Sequence, residues 1–323
     1  MKHTMIYADH ASTTALSPKA LEAMLPYFTQ GYGNPSSLYA FGQQAKSDLE
    51  KARAAVARCL NAKPEEIYFT SGGTEADNWA LRGVAELMAL KGKKTGHIIT
   101  TAIEHHAILH TAQYLEKQGY EVTYLPVDGD GMVDPAAVEA AIRPDTILIS
   151  VMAANNEIGT IEPIAEIGAI AKANKVLFHT DAVQAAGHIP VDVEAWQVDL
   201  LSLSGHKFGG PKGVGVLYMR KPLRLPPLIH GGGQEKGRRP RTVNVPGAVG
   251  LAAALTEAVE NLSAESVRLA ALRDKLIQGL TKLPYAKATG SLTRRLPGTA
   301  SFVFEGVEGE ALLLHLDAKG ICA

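Results

Sequence analysis

Cysteine is scarce: Cys59 and Cys322 are the two in 323 residues, too few for a disulfide framework, and the cytosol is the default compartment. An excess of one charge is also missing. The sequence has 32 Lys and Arg against 33 Asp and Glu, a formal net charge of -1. No global field therefore draws the chain to nucleic acid or to an anionic membrane. The basic run Lys236-Gly237-Arg238-Arg239-Pro240-Arg241 reads as a solvated or anion-binding loop rather than an RNA contact. No apolar stretch approaches the length that spans a bilayer. Lys2, Asp9 and Lys19 interrupt the first twenty residues, so no signal-peptide core stands there.

What is present is the balance of a soluble globular protein, 46% hydrophobic and 20% charged, with length for a large core and two domains. Short β-branched runs alternate with amphipathic segments. The runs Ile67–Thr70, His97–Thr101, Glu121–Leu125, Thr146–Val151, Val176–His179, Leu200–Leu203 and Gly215–Met219 read as strands. Segments such as Ala107–Lys117, Pro135–Ile142 and Ile164–Ala173 read as crossover helices. The pattern predicts an α/β fold with a mostly parallel sheet flanked by helices. Near Val249 the texture changes: Val249–Leu262 and Ser266–Leu283 read as two long helices, Ala300–Phe304 as a strand, and Glu308–Lys319 as a last helix. A smaller α+β domain is expected there.

Chemistry gathers at the carboxyl ends of the strands, where α/β folds build their sites. Ser204-Gly205-His206-Lys207-Phe208-Gly209-Gly210 offers hydroxyl, imidazole and backbone donors for a phosphate and an amine for a Schiff base; the alternative is a glycine-rich turn with a surface lysine. His179-Thr180-Asp181-Ala182-Val183-Gln184 sets an acid 26 positions before Lys207, suited to a pyridinium nitrogen, or else a helix N-cap. Thr70-Ser71-Gly72-Gly73-Thr74-Glu75 opens a helix and lacks the lysine of a P-loop, leaving an anion site or an ordinary glycine turn. Glu104-His105-His106 follows a strand; His105 suits a ring stacked on a flat cofactor. His106 and His110 with Glu104 make a poor metal set without an H-E-x-x-H pattern. Asn155-Asn156-Glu157 offers amides to a ligand, or a plain turn. Asp128-Gly129-Asp130-Gly131 imitates a calcium loop, but Val133 stands where that loop requires glycine.

The joint order of these segments is specific. Tyr7-Ala8-Asp9-His10-Ala11-Ser12-Thr13-Thr14, Gly33-Asn34-Pro35-Ser36-Ser37, Ser71-Gly72-Gly73-Thr74-Glu75, Glu104-His105, Asn155-Asn156-Glu157-Ile158-Gly159, His179-Thr180-Asp181, Ser204-Gly205-His206-Lys207 and His230-Gly231-Gly232-Gly233-Gln234-Glu235 follow one another. In this the chain resembles the cysteine desulfurases, of the class V aminotransferase branch of fold-type-I pyridoxal-phosphate enzymes. The resemblance implies a large cofactor domain over 15–250 and a smaller one from 1–14 and 251–323. It implies that Lys207 holds pyridoxal 5'-phosphate as a Schiff base and moves the Cα proton. Asp181 would pair with the ring nitrogen, Gln184 with the ring oxygen, and His105 would stack on the ring. Asn156 would hold cofactor or substrate. Thr74, Ser204 and His206 would bind the phosphate, joined by Thr242 from the second subunit of a homodimer. The implied reaction takes L-cysteine to L-alanine, with sulfur passed as a persulfide to an iron–sulfur scaffold or a tRNA-thiolation partner.

Two departures stand out. The family usually carries glycine where this chain has Arg241, which puts the loop's conformation in doubt if φ > 0 is required there. The last residues, Leu316 to Ala323, match the segment that in the family leads into its reactive-cysteine loop. The nucleophile is therefore expected past Ala323, with Cys322 at the variable position ahead of it, and the chain is expected to be inactive in sulfur transfer. A selenocysteine lyase, another class V enzyme and a non-catalytic cofactor-binding dimer are the competing readings.

Overall fold

The computed structural model describes residues 5–323; the first four residues of the expected 1–14 segment lie outside it. Its strands are β1 (Ile6–Tyr7), β2 (Ile67–Thr70), β3 (His97–Thr101), β4 (Glu121–Leu125), β5 (Thr146–Ser150), β6 (Leu177–Asp181), β7 (Leu200–Ser204), β8 (Gly215–Met219), β9 (Ala286–Ala288), β10 (Phe302–Phe304) and β11 (Ile321–Cys322). Its helices are α1 (Pro18–Met24), α2 (Pro26–Thr29), α3 (Ala40–Cys59), α4 (Gly73–Leu90), α5 (His106–Glu116), α6 (Pro135–Ala141), α7 (Ile164–Ala173), the single turn α8 (Gln234–Gly237), α9 (Val245–Leu280) and α10 (Gly309–Asp317).

One seven-stranded sheet, in the order β2-β8-β7-β6-β5-β3-β4, forms the frame. β4, β3, β5, β6 and β7 run parallel, and β8 is antiparallel to both β7 and β2. The expected mostly parallel sheet is therefore present. Both faces are buried, so the strands read as near-continuous apolar runs whose alternate residues serve different cores. Ile99, Ile149, Phe178, Leu201 and Val216 pack with Val56, Leu251 and Leu255 from α3 and α9. Their strand neighbours Ile98, Leu148, Leu200 and Leu217 pack with Trp79, Leu81 and Ile108 from α4 and α5. That alternation decides which strand residues look toward α4, a point that matters below.

Local signals set several boundaries. Ser17 Oγ accepts from Ala20 N (3.1 Å) and Asp134 Oδ1 from Ala136 N (2.9 Å), each ahead of a proline in the first turn. Asp128 Oδ1 accepts from the Asp130 and Met132 amides, both at 2.9 Å; the calcium-like segment is a turn, as its sequence predicts.

The two helices expected over Val249–Leu262 and Ser266–Leu283 are a single one, α9, of 36 residues. The Asn261–Ser263 stretch contains no Gly or Pro, and Asn261 Nδ2 bonds back to Glu257 O at 2.9 Å inside its own helix, so a polar cluster passes through without a break. The buried residues of α9 end at Leu255. Beyond it lie two small sheets, antiparallel β9–β10 and parallel β1–β11.

The 230–242 segment is fixed by buried ion pairs. Arg53 donates to both Glu235 carboxylate oxygens at 2.8 Å and to Ile67 O at 2.7 Å, with both side chains almost wholly buried. Arg239 grips Glu75 through two bonds of 2.6 Å. Left-handed backbone falls at Glu235 (φ 48), Lys236 (φ 59) and Gly237 (φ 73), and not at Arg241, so the arginine that replaces the family's glycine sits on ordinary backbone. Glu235→Ala leaves the buried Arg53 guanidinium with only the half-exposed Glu50 as a charged partner and is expected to cost about 3 kcal/mol, read from urea unfolding.

Candidate active site

The carboxyl ends of β3, β5, β6 and β7 and the first turn of α4 enclose a cavity of about 420 Å³, a size usual for cofactor sites. Thr74, His105, Asn156, Asp181, Gln184, Ser204, His206 and Lys207 all line it. Of the residues expected from sequence, Thr242 is the exception: it is exposed and does not line the cavity of its own chain.

Lys207 stands just past β7, in a single 3₁₀ turn. Its Nζ donates to the carbonyls of Ala11 (2.6 Å) and Ser12 (2.8 Å). Burial lowers the amine's pKa, against the pull of Asp181 and Asp9, and favours the neutral, nucleophilic form. The Tyr7–Thr14 segment lies along this turn: Thr14 Oγ1 donates to His206 O (2.8 Å) and accepts from Gly209 N (2.8 Å). Gln184 Nε2 also donates to Ala11 O, at 2.9 Å.

Asp181 closes β6 and is 5% exposed. Burial pushes its carboxyl up to about 6, opposed by the Val183 amide, which donates to Oδ1 at 2.8 Å, and by the Lys207 charge. No helix follows β6, so Asp181 is not the helix N-cap that the sequence also allowed; its bond to the Val183 amide closes a local turn at the cavity edge. His105 caps α5, its Nδ1 accepting from Ala107 N at 3.1 Å. That bond requires an unprotonated Nδ1 and leaves Nε2 as the free nitrogen. Burial and the neighbouring His106 and Lys207 hold the ring's pKa down.

The turn before Thr74 is held from behind. Glu75 accepts from Ser71 N (2.8 Å) and Ser71 Oγ (2.5 Å) while Arg239 holds its other side. Burial would raise the Glu75 carboxyl, but the Arg239 bonds overcome it and keep it ionised. Gly73 must lack a side chain, because a Cβ would stand 2.6 Å from Val183 Cγ2. The bare backbone of that turn, the Thr74 and Ser204 hydroxyls and His206 make an anion cradle at a helix N-terminus. With a low-pKa amine and an acid at a strand end, this donor set fits a phosphate-bearing aromatic aldehyde.

Sequence reasoning missed two acidic lining residues, Asp9 and Asp77. Asp77 stands one helical turn past Gly73, on the same side of α4, and that spacing was the available signal. His106 and His110 stack at 4.9 Å, but Glu104 turns inward to Thr101 Oγ1 (2.8 Å) and Met152 N (2.9 Å). Among the described residues no group of three or more ligating side chains gathers. Neither cysteine lines the cavity. Cys59 ends α3, half-buried, its thiol raised by burial. Cys322 is held in β11 beside Tyr7, its carbonyl accepting from Ala8 N at 2.7 Å.

Comparison with known proteins agrees with this geometry. The family model described as Aminotransferase class-V matches residues 6–323. Cysteine desulfurase IscS of Methanosarcina thermophila is 55% identical over 98% of this chain and 78% of its own length. That of Clostridium botulinum is 54% identical over 98% and 80%. A solved NifS-like protein superposes with a TM-score of 0.95 at 45% identity, covering 99% of this chain and 87% of its own. SspA in complex with cysteine superposes with a TM-score of 0.84 at 37% identity, over 98% and 87%. The fold-type-I cofactor fold expected from the motifs is the one these relatives share, and the chain belongs to the class V aminotransferase family and, within it, to the cysteine desulfurases.

Proposed function

We propose that this chain carries the cofactor half of a cysteine desulfurase site, acting on L-cysteine to give L-alanine. The observation that carries the reading is one cavity holding the Lys207 amine, the buried Asp181 carboxyl and the Thr74–Ser204–His206 cradle together. The cofactor of the family is pyridoxal 5'-phosphate, which when bound supplies an electron sink for bonds at the substrate Cα and Cβ.

Each residue then has a defined task. Lys207 would hold the cofactor through its amine and supply the base that moves the Cα proton. Asp181 presents its charge to the pyridine nitrogen. Gln184 has one amide hydrogen engaged by Ala11 O and offers the second to the ring oxygen. His105 would lie against the ring, with Nε2 free to relay a proton. Asn156 orients cofactor or substrate. Thr74, Ser204 and His206 take the phosphate. Thr242 serves the site of a second copy, so the working protein is a homodimer; light scattering that found a cofactor-saturated monomer would contradict this. Residues 15–250 form the cofactor domain, and 1–14 with 251–323 the smaller one. The sulfur acceptor in this reading is an iron–sulfur scaffold or another sulfur-carrying protein, in the cytoplasm.

The cysteines limit what these 323 residues do alone. Cys59 lies in the α3–α9 contact, and Cys322 is tied into a strand, whereas sulfur removal needs a reactive thiolate delivered on a mobile segment. Loaded with cofactor and given L-cysteine, the chain is expected to show a change in cofactor absorbance without sustained release of alanine or sulfide. Absence of any spectral response to L-cysteine, or a response to L-selenocysteine alone, would overturn the substrate assignment. Sustained turnover that disappears in Cys322→Ala would make Cys322 the sulfur carrier.

A further inference from the structure

Asp77 has no part in the roles above, yet its environment is unusual. It is 1% exposed, it lines the cavity, and its Oδ1 has no hydrogen-bond partner. A buried carboxyl oxygen without a partner is costly as an anion. Alternation along the strands brings three polar residues to the α4 side of the sheet beneath it. Phe178, Ile149 and Leu201 face the opposite core, so their neighbours His179, Ser150 and Ser202 face α4. His179 bridges the other two, Nδ1 to Ser150 Oγ at 2.9 Å and Nε2 to Ser202 Oγ at 3.0 Å. The ring is fully buried, and burial brings it down to about 3, so it is neutral and supplies no positive charge to Asp77 Oδ1, 3.7 Å from Nε2. Ser202 is also the in-register β7 partner of Asp181, and Asp77 and Asp181 line the same cavity.

We propose that Asp77 and Asp181 form a carboxyl pair with one proton and one negative charge between them, the proton resting on Asp77, and that Asp77 is thereby a positioning residue for the Asp181 charge. Two buried carboxyls in one neighbourhood do not both ionise. The choice between them follows from their partners. Asp181 has the Val183 amide at 2.8 Å and the attraction of Lys207. Asp77 faces the Ser202 hydroxyl, neutral His179, and two further acids, Asp181 and Glu104. Burial, with the Asp181 and Glu104 charges added to it, raises the Asp77 carboxyl. Glu104 is itself pushed up to about 8, chiefly by burial. Asp181 is then the one anion of the three near neutral pH. A second anion beside it would add to the pull of Asp181 and Asp9 that already opposes the lowering of the Lys207 amine by burial. The use made of that charge rests on the proposed function; the proton count does not.

The test is infrared spectroscopy of the cofactor-free chain labelled with [4-¹³C]aspartate, so that aspartic bands separate from glutamic ones. At about pH 8, well above the ordinary aspartate range, a protonated aspartic C=O band is expected in the parent. It should be lost in Asp77→Asn and Asp77→Ser and kept in Asp199→Asn. Its titration midpoint should fall by about one unit or more in Asp181→Asn, because coupled groups share their protons. No protonated aspartic band in the parent, persistence of the band in both Asp77 variants, or an unmoved midpoint in Asp181→Asn would each overturn the pair. Since none of these readouts needs cofactor or substrate, a failed activity reading leaves the result standing.

Discussion

Lys207→Ala, incubated with pyridoxal phosphate, reduced with borohydride and digested, is expected to yield no cofactor-bearing peptide, where the parent yields one mapped to Lys207. The loss should be complete rather than partial, because Lys207 is the lysine among the residues lining the cavity and a covalent bond to the cofactor has no substitute there. The substitution also removes the donors that hold the Ala11 and Ser12 carbonyls. Lys207→Arg is therefore the control: it keeps the donors and the charge and forms no such adduct. Both variants should fold, with the arginine form closer to the parent in unfolding midpoint. An adduct that moved to Lys212, exposed in the loop beyond, with cofactor absorbance intact would show that Lys207 is not the anchoring amine.

Asp181→Asn should separate binding from chemistry. The cradle of Thr74, Ser204 and His206 is untouched, so the cofactor is retained, while the exchange of the Cα proton of added L-alanine slows by about 10²-fold or more, the scale of losing one electrostatic stabiliser aimed at developing charge. The pH dependence carries a sign that can be checked. Burial raises the Asp181 carboxyl to about 6, so the parent loses this charge as pH falls through that value, and its exchange rate should fall with it. An asparagine has no proton to gain, and that acid limb should be absent from the variant. Exchange within about threefold of the parent, less than 1 kcal/mol of barrier, would remove Asp181 from the role.

The sequence made the frame and most of the site legible for one physical reason. Strands buried on both faces are written as short apolar runs, and Ile67–Thr70, His97–Thr101, Glu121–Leu125 and Gly215–Met219 fall where the pattern put them. Site residues follow directly on those runs, so Asp181, Ser204 and Lys207 could be placed at one edge of the sheet before any contact was known. What failed was the helix that leaves the sheet. The gap left at Ser263–Glu265 holds no residue that forbids helical dihedrals, and Asn261 just before it bonds back to Glu257 O inside its own helix. Asp77 was overlooked because it lies inside a helix. Its meaning comes from His179, Ser150 and Ser202 on three strands far away in sequence, which no local pattern brings together. Thr242 marks a different boundary: it does not line the cavity of its own chain, and the use proposed for it lies in a second copy.

The unbroken α9 has a mechanical consequence. A helix buried at its base through Leu255 and projecting to Leu280 is a lever with its fulcrum in the large core and an arm of roughly 37 Å at 1.5 Å per residue. A tilt of about 5° at the fulcrum swings the tip by roughly 3 Å while the base scarcely shifts. The strands beyond the tip are latched back to the site by a second link: Thr160 bridges Arg295, and Leu296 N donates to Gly159 O at 2.8 Å, at the end of the loop that carries Asn156. The arm is tied to the same link part-way along, where Arg273 Nη1 donates to Leu296 O at 3.1 Å, so helix, latch and the Asn156 loop form one connected path.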